Sequence, residues 1–253
     1  MENELLSFKY NCCRIDVKVA GSEAKASGFI YKTKPNCDYD YVVTAKHTFQ
    51  EEKEMPNIGK LDNLEIRWMI DNDRLDLFTL DKQKYKSDIM FFDEYDLAII
   101  RIPKQLLPKA KRIAVRNMKE LSKNNNLETH SFPIIKRSES TTLEFKILDG
   151  ERGTIQAGHI KDIRNYEGVS GSGVYCCEEP FLVGVLVGYR LPGCEQDEFR
   201  VALVNWDRVN ELLHKKGWTR LNQGSAKNTC ITTEKEVIDI RELCINGANL
   251  NME

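Results

Sequence analysis

"YDYVVTAKH", residues 39 to 47, is an apolar run that ends in a histidine. Its aromatic and β-branched residues suit a buried, pleated strand, and its polar end suits a turn. Such a strand delivers His47 beside Thr44 and Ala45, whose small side chains leave space around an imidazole ring. A lone histidine in this setting is usually structural, so its meaning depends on the rest of the chain. Upstream, "CRIDVKVA" (13–20) alternates apolar and polar residues, and "ASGFIYK" (26–32) follows, with "GSEAKASG" (21–28) read as the hairpin between them. Downstream come "LEIRWMI" (64–70), "LFTL" (77–80) and "DLAIIRI" (96–102).

After the basic, proline-punctuated stretch "IPKQLLPKAKR" (102–112), a second set of short strands begins. It comprises "ETHSFPII" (128–135), "TTLEFKIL" (141–148), "RGTIQAGHI" (152–160), "GVYCC" (173–177), "FLVGVLVGY" (181–189) and "EFRVALV" (198–204). Many short strands separated by turn signals predict an all-β sandwich or a pair of barrels. One helix is expected over "NWDRVNELLHKKGW" (205–218). Asn205 is its N-cap, Val209, Leu212 and Leu213 its apolar stripe, and Gly217 its stop.

The 253 residues suffice for one large or two small domains, and 41% hydrophobic residues support a core. A net charge of −2 and the lack of a basic, aromatic-interleaved run argue against direct nucleic-acid binding. No apolar stretch is long enough to span a bilayer, and "MENELLSFKY" lacks the features of a secretory signal. The eight cysteines show no CxxC spacing, and the adjacent pairs Cys12/Cys13 and Cys176/Cys177 do not suggest a disulfide framework. Free thiols in a reducing cytoplasm are expected, without a zinc site. No phosphate-cradling glycine loop with a following lysine is present.

"YEGVSGSGVY" (166–175) sets Ser170 and Ser172 among three glycines. Glycine tolerates backbone conformations closed to other residues. The stretch therefore reads either as a flexible surface loop or as a strained turn presenting a serine nucleophile.

With these pieces in hand, "VVTAKH" resembles the histidine motif of the chymotrypsin/trypsin-like serine proteases. "YDLAIIRI" is similar to the family's aspartate strand, and "GVSGSG" to its nucleophile loop, in the family's order. The resemblance covers residues 10–218. It implies two antiparallel β-barrels with a C-terminal helix, the first over 10–105, the second over 125–205 and the helix over 205–217. It implies a serine endopeptidase that cleaves a protein or peptide substrate through an acyl-enzyme, with no metal or cofactor. His47 takes the role of general base, Asp96 that of its orienting partner and Ser170 that of nucleophile. Gly168 and Ser170 supply the backbone N–H groups of the oxyanion hole. Ser172 fits less well, because the position two before it is then Ser170 rather than glycine. A cysteine nucleophile finds no candidate in the glycine turn.

The family's specificity pocket maps onto Arg164 at its base and Val187, Gly188 and Tyr189 on its wall. A pocket arginine would favour an acidic side chain before the cut, whereas Tyr189 filling the pocket would favour small ones. Val169 stands where the digestive members carry an aspartate that pairs with a new N-terminus. The motif thus resembles the cytosolic, bacterial stress-type and viral branches, and implies regulation by a partner or an attached sensor domain.

Residues 221–235 read as a polar linker and 236–253 as a tail or the start of a further domain of a longer protein. Ile240, Ile245 and Leu250 recur every five residues, as a repeat coil or an amphipathic tail would have them. This arrangement resembles protease effectors of bacterial immune and antiviral defence systems. Two alternatives stand beside it: a catalytically inactive protease fold that binds peptides or scaffolds, and a general quality-control protease.

Overall fold

The computed structural model describes residues 8–50, 56–71, 74–104, 109–133, 141–157, 167–177, 181–189 and 198–224. Seven strands form the first sheet: β1 (Cys12–Val19), β2 (Ser22–Tyr31), β3 (Tyr39–Ala45), β4 (Leu61–Asp71), β5 (Arg74–Thr79), β6 (Ile89–Phe92) and β7 (Leu97–Pro103). Their order is β5-β4-β1-β2-β3-β7-β6, with every neighbour antiparallel. Inward residues of β1, β2, β3, β4, β6 and β7 meet in one core that includes Ile15, Ile30, Val42, Ile66, Ile89 and Ile100. Strands from both ends of the order share that core, so the sheet is curled around it.

β1 shows why these residues form strands. Cys13, Ile15, Val17 and Val19 are buried, while Arg14, Asp16 and Lys18 alternate outward. The register then pairs Val19 with Ser22. Ala20 and Gly21 both adopt positive φ, 48° and 87°, the signature of a two-residue hairpin turn matched to strand twist. The hairpin is therefore tighter than the sequence suggests: the turn lies at 20–21, and residues 22–28 belong to β2.

The second sheet contains β8 (Ala114–Val115), β9 (Asn126–Ser131), β10 (Thr141–Asp149), β11 (Thr154–Ala157), β12 (Gly173–Cys176), β13 (Phe181–Tyr189) and β14 (Glu198–Val201). Its order is β12-β9-β10-β11-β14-β13-β8, and a further β12–β13 pairing closes six strands into a barrel. β8 adds to β13 in parallel. Phe145, Ile155, Val169, Val183, Phe199 and Val201 fill the barrel. The chain is thus all-β in class, with two antiparallel β units and two helices, α1 (Tyr85–Asp88) and α2 (Trp206–Lys215), among the described residues. The two residues of β8 carry too little periodicity to register, and β6, IMFF, is apolar throughout and shows no alternation.

Asn205 caps α2 with its side-chain oxygen, which accepts the Arg208 N–H at 3.1 Å. Trp206, Val209 and Leu213 are buried, and Gly217 takes φ 75° just past the end. That buried face packs into a core shared by both sheets, with Phe29, Tyr41, Val43 and Leu97 from one and Tyr175, Leu182 and Val185 from the other. Residues 221–224, expected to begin a linker, are instead docked. Leu221 is buried, the Asn222 N–H donates to Tyr31 Oη at 2.6 Å, and Gln223 bridges to Val115. Satisfied backbone groups and one buried leucine outweigh the polar composition there. The remainder of the expected linker and the tail lie outside the described residues. No helix among the described residues is long and apolar enough to cross a membrane.

Candidate active site

The antiparallel register of β3 and β7 pairs Ala45 with Leu97. The residues just beyond that last pair, Lys46 and His47 on one side and Asp96 on the other, are therefore forced together. Lys46 and His47 open a 3₁₀ turn over Lys46–Phe49 that lifts the chain off the strand end. Asp96 sits in the left-handed region at φ 50°, ψ 42°, an uncommon place for a residue with a Cβ. Its main-chain oxygen accepts the Lys46 N–H at 2.9 Å. Its carboxylate Oδ1 accepts the His47 N–H at 2.9 Å, and Oδ2 lies 2.7 Å from His47 Nδ1.

An ionised carboxylate only accepts, so the proton of a neutral imidazole resides on Nδ1 and leaves Nε2 with a lone pair. Each of the two side chains is 34% exposed. Lys46, buried next door, reaches Asp93 with Nζ 3.1 Å from Oδ1.

Residues 167–172 make the glycine turn. Gly168 and Gly171 take φ 87° and 86°, where a side chain would be strained. Ser170 at its tip is half-buried. Val169 is buried in the second barrel's core and anchors the turn from below. Its carbonyl accepts both the Ser172 N–H at 3.1 Å and the Ser172 hydroxyl at 2.7 Å. Ser172 is wholly buried and acts as a local brace. Among the described residues, no acceptor takes the N–H of Gly168 or Ser170.

The turn abuts the strand that carries His47. A methyl group on Gly171 would overlap Thr44 Oγ1 and the Ser27 carbonyl oxygen, and would lie 2.9 Å from Ala45 N. The room that small Thr44 and Ala45 leave is thus taken by the glycine turn rather than by the imidazole. Ser27, which the sequence reading passed over, donates its N–H to Ser170 O and its hydroxyl to Gly168 O, each at 2.9 Å. Its only sequence signal is smallness, in "ASGF", and smallness alone does not reveal a partner more than a hundred residues away.

Of the expected pocket residues, Val187 is half-buried against the shared core. A Cβ on Gly188 would meet nothing within 4 Å among the described residues. Tyr189 ends β13 opposite Phe199, and Arg164 lies outside the described residues. A cavity of about 600 Å³ opens elsewhere on the second barrel, lined by Glu128, Glu144, Lys146, Gln156 and Cys177 among others. None of His47, Asp96 and Ser170 lines it, and the side-chain chemistry rather than cavity size marks the site.

No family model and no curated protein matches the chain. Solved structures do. Catalytically active tobacco etch virus protease complexed with product aligns with 88% of this chain and 84% of its own, at 17% identity and TM-score 0.52. The active form of a protease from M. tuberculosis aligns over 89% and 87%, at 14% identity and TM-score 0.54. For the serine endoprotease from Yersinia pestis the shares are 83% and 65%, with 16% identity and TM-score 0.53. At such identities the likeness speaks for architecture alone, and that architecture is the chymotrypsin-like fold.

Proposed function

We propose that this chain is a serine endopeptidase in which Ser170 is the nucleophile, His47 the general base and Asp96 the residue that orients the imidazole. The observation that carries the reading is the pair of bonds from Asp96 to His47, one to Nδ1 and one to the backbone N–H of the same residue. Together they hold the ring in the tautomer that leaves Nε2 as base. A serine hydroxyl is a poor nucleophile near neutral pH and needs a base of this kind. In the proposed reaction Ser170 Oγ attacks the scissile carbonyl while His47 Nε2 takes its proton. The resulting imidazolium returns that proton to the leaving amine, and water then repeats the sequence on the acyl-enzyme. The N–H groups of Gly168 and Ser170 receive the oxyanion.

The composition of the turn supports serine rather than cysteine chemistry. Cys176 is buried on β12 and Cys177 stands beyond it, so neither shares the glycine turn. Val169 is buried and carries no charge, so a new N-terminus has no carboxylate to meet there. Control by a partner or an attached domain, as in an effector of a bacterial defence system, is the regulatory part of the same proposal. The substrate is a protein or peptide whose backbone passes the open face at Gly188.

A fluorophosphonate probe tests the core claim. The reading expects labelling of the intact chain, no labelling after Ser170→Ala, and strong loss after His47→Ala. Labelling that survives Ser170→Ala overturns Ser170 as the nucleophile, and a folded chain that never labels favours the inactive-scaffold alternative.

A further inference from the structure

We infer that Ser27 is a positioning residue that sets the oxyanion-binding geometry of the serine turn from the opposite barrel; this rests on the peptidase reading above. Ser27 lies on β2 and is wholly buried. Its hydroxyl donates to Gly168 O at 2.9 Å and accepts the Phe132 N–H at 2.9 Å. Its N–H donates to Ser170 O at 2.9 Å. Its carbonyl accepts the Thr44 hydroxyl at 2.8 Å, on the strand that leads to His47. One residue therefore ties the histidine strand, the chain after β9 and both ends of the Gly168–Ser170 stretch.

The direction of an N–H is set by its own peptide plane and so by the carbonyl on that plane. The Ser170 N–H shares its plane with Val169 C=O, which Ser172 already fixes with two hydrogen bonds. Gly168 has no such brace among the described residues, where its N–H shares a plane with the Glu167 carbonyl. It is a glycine at φ 87°, free of the steric limits that hold other residues. The described bond that restrains its carbonyl is the one from Ser27 Oγ. Ser172 thus aims one oxyanion donor and Ser27 restrains the residue that supplies the other. Losing an oxyanion donor lowers turnover by about 10²–10³-fold; loosening one costs part of that.

The test compares fluorophosphonate labelling kinetics of the whole chain, well below its unfolding temperature. Ser27→Ala is expected to lower kinact by about 10- to 100-fold while KI changes less than about twofold, because the phosphonyl oxygen needs the aimed donor only in the transition state. Ser27→Cys keeps the shape with a weaker donor and is expected to fall between wild type and alanine. It also serves if Ser27→Ala does not fold. Tyr31→Phe removes a comparably buried bond, to the Asn222 N–H, and is expected to leave kinact unchanged. Wild-type kinact in a folded Ser27→Ala or Ser27→Cys protein overturns the inference, as does a loss that Tyr31→Phe reproduces. If the wild-type chain itself never labels, the peptidase reading fails first and takes this one with it.

Discussion

Asp96 concentrates the hydrogen bonding of the candidate site in one residue. A left-handed conformation costs an L-residue roughly 1–2 kcal/mol, and aspartate tolerates it better than most. Here three hydrogen bonds, from Lys46 N–H, His47 N–H and His47 Nδ1, over-determine that conformation. The backbone bonds hold whatever the protonation state, whereas the third depends on an acceptor at Oδ2. Asp96→Asn keeps an acceptor for the His47 N–H but presents an amide donor to Nδ1. The imidazole must then place its proton on Nε2, where it cannot act as base. Turnover of a cleavable peptide is expected to fall about 10⁴-fold with the fold retained. A loss below tenfold would show that Asp96 does not set the tautomer.

Among the elements, β12, the strand that leaves the serine turn, pairs with β9 and builds a polar knot with it. Glu128 on β9 lies opposite Tyr175 on β12 and opposite Glu144 on β10. The Tyr175 hydroxyl donates to Glu128 Oε1 at 2.6 Å. His130 Nε2 stands 3.2 Å from the same oxygen, off the line of a good hydrogen bond, while its Nδ1 meets Thr142 Oγ1 at 2.8 Å. Burial opposes ionisation of Glu128, but His130 and the Tyr175 hydroxyl win and hold its carboxyl below the usual glutamate value. Burial pushes the Tyr175 phenol up, and the Glu128 carboxylate adds to that.

A carboxyl depressed on folding contributes stability above its unfolded pKa and loses it as pH falls through the folded value. Wild type should therefore lose more melting temperature between about pH 6 and about pH 3 than Glu128→Gln does. Equal slopes in a pH series of thermal melts would remove Glu128 from the acid response.

Across the whole molecule, the two sheets share a core sealed by α2, and the chain after that helix straps both. Trp218 stacks on Tyr41 at 5.8 Å, and Arg101 lies over both Tyr39 and Trp218. Tyr41 Oη donates to Thr219 O at 2.7 Å, and the Thr219 N–H donates to Tyr39 Oη at 3.1 Å. The Asn222 carbonyl then accepts the Val115 N–H at 2.8 Å, which ties the strap to β8 of the second sheet. A shared core and a shared strap leave neither barrel able to open alone, so unfolding is expected to be one cooperative step. Cys13 in the first barrel and Cys176 in the second are both buried and serve as reporters. Alkylation followed by mass spectrometry should show the two thiols becoming reactive at the same urea concentration. Separate midpoints would mean that the barrels are independent units.

Local patterns along the chain carry the class of fold and the identity of the candidate chemical groups. Alternation in "CRIDVKVA" and the apolar run before His47 are local, and strand-forming residues display local periodicity whatever they later touch. The α2 cap, stripe and stop are equally local. The glycine turn was legible as a turn because φ near +87° demands glycine at Gly168 and Gly171. What those groups meet depends on the packing of elements remote in the chain. The one-residue register between β3 and β7 put Asp96 under His47, and the approach of two barrels put Ser27 against Gly168 and Ser170. Residues 221–224 became a strap for the same reason: their partners, Tyr31 and Val115, are remote in sequence. Contacts between distant segments arise from packing of whole elements, and no short-range pattern of residue types encodes them.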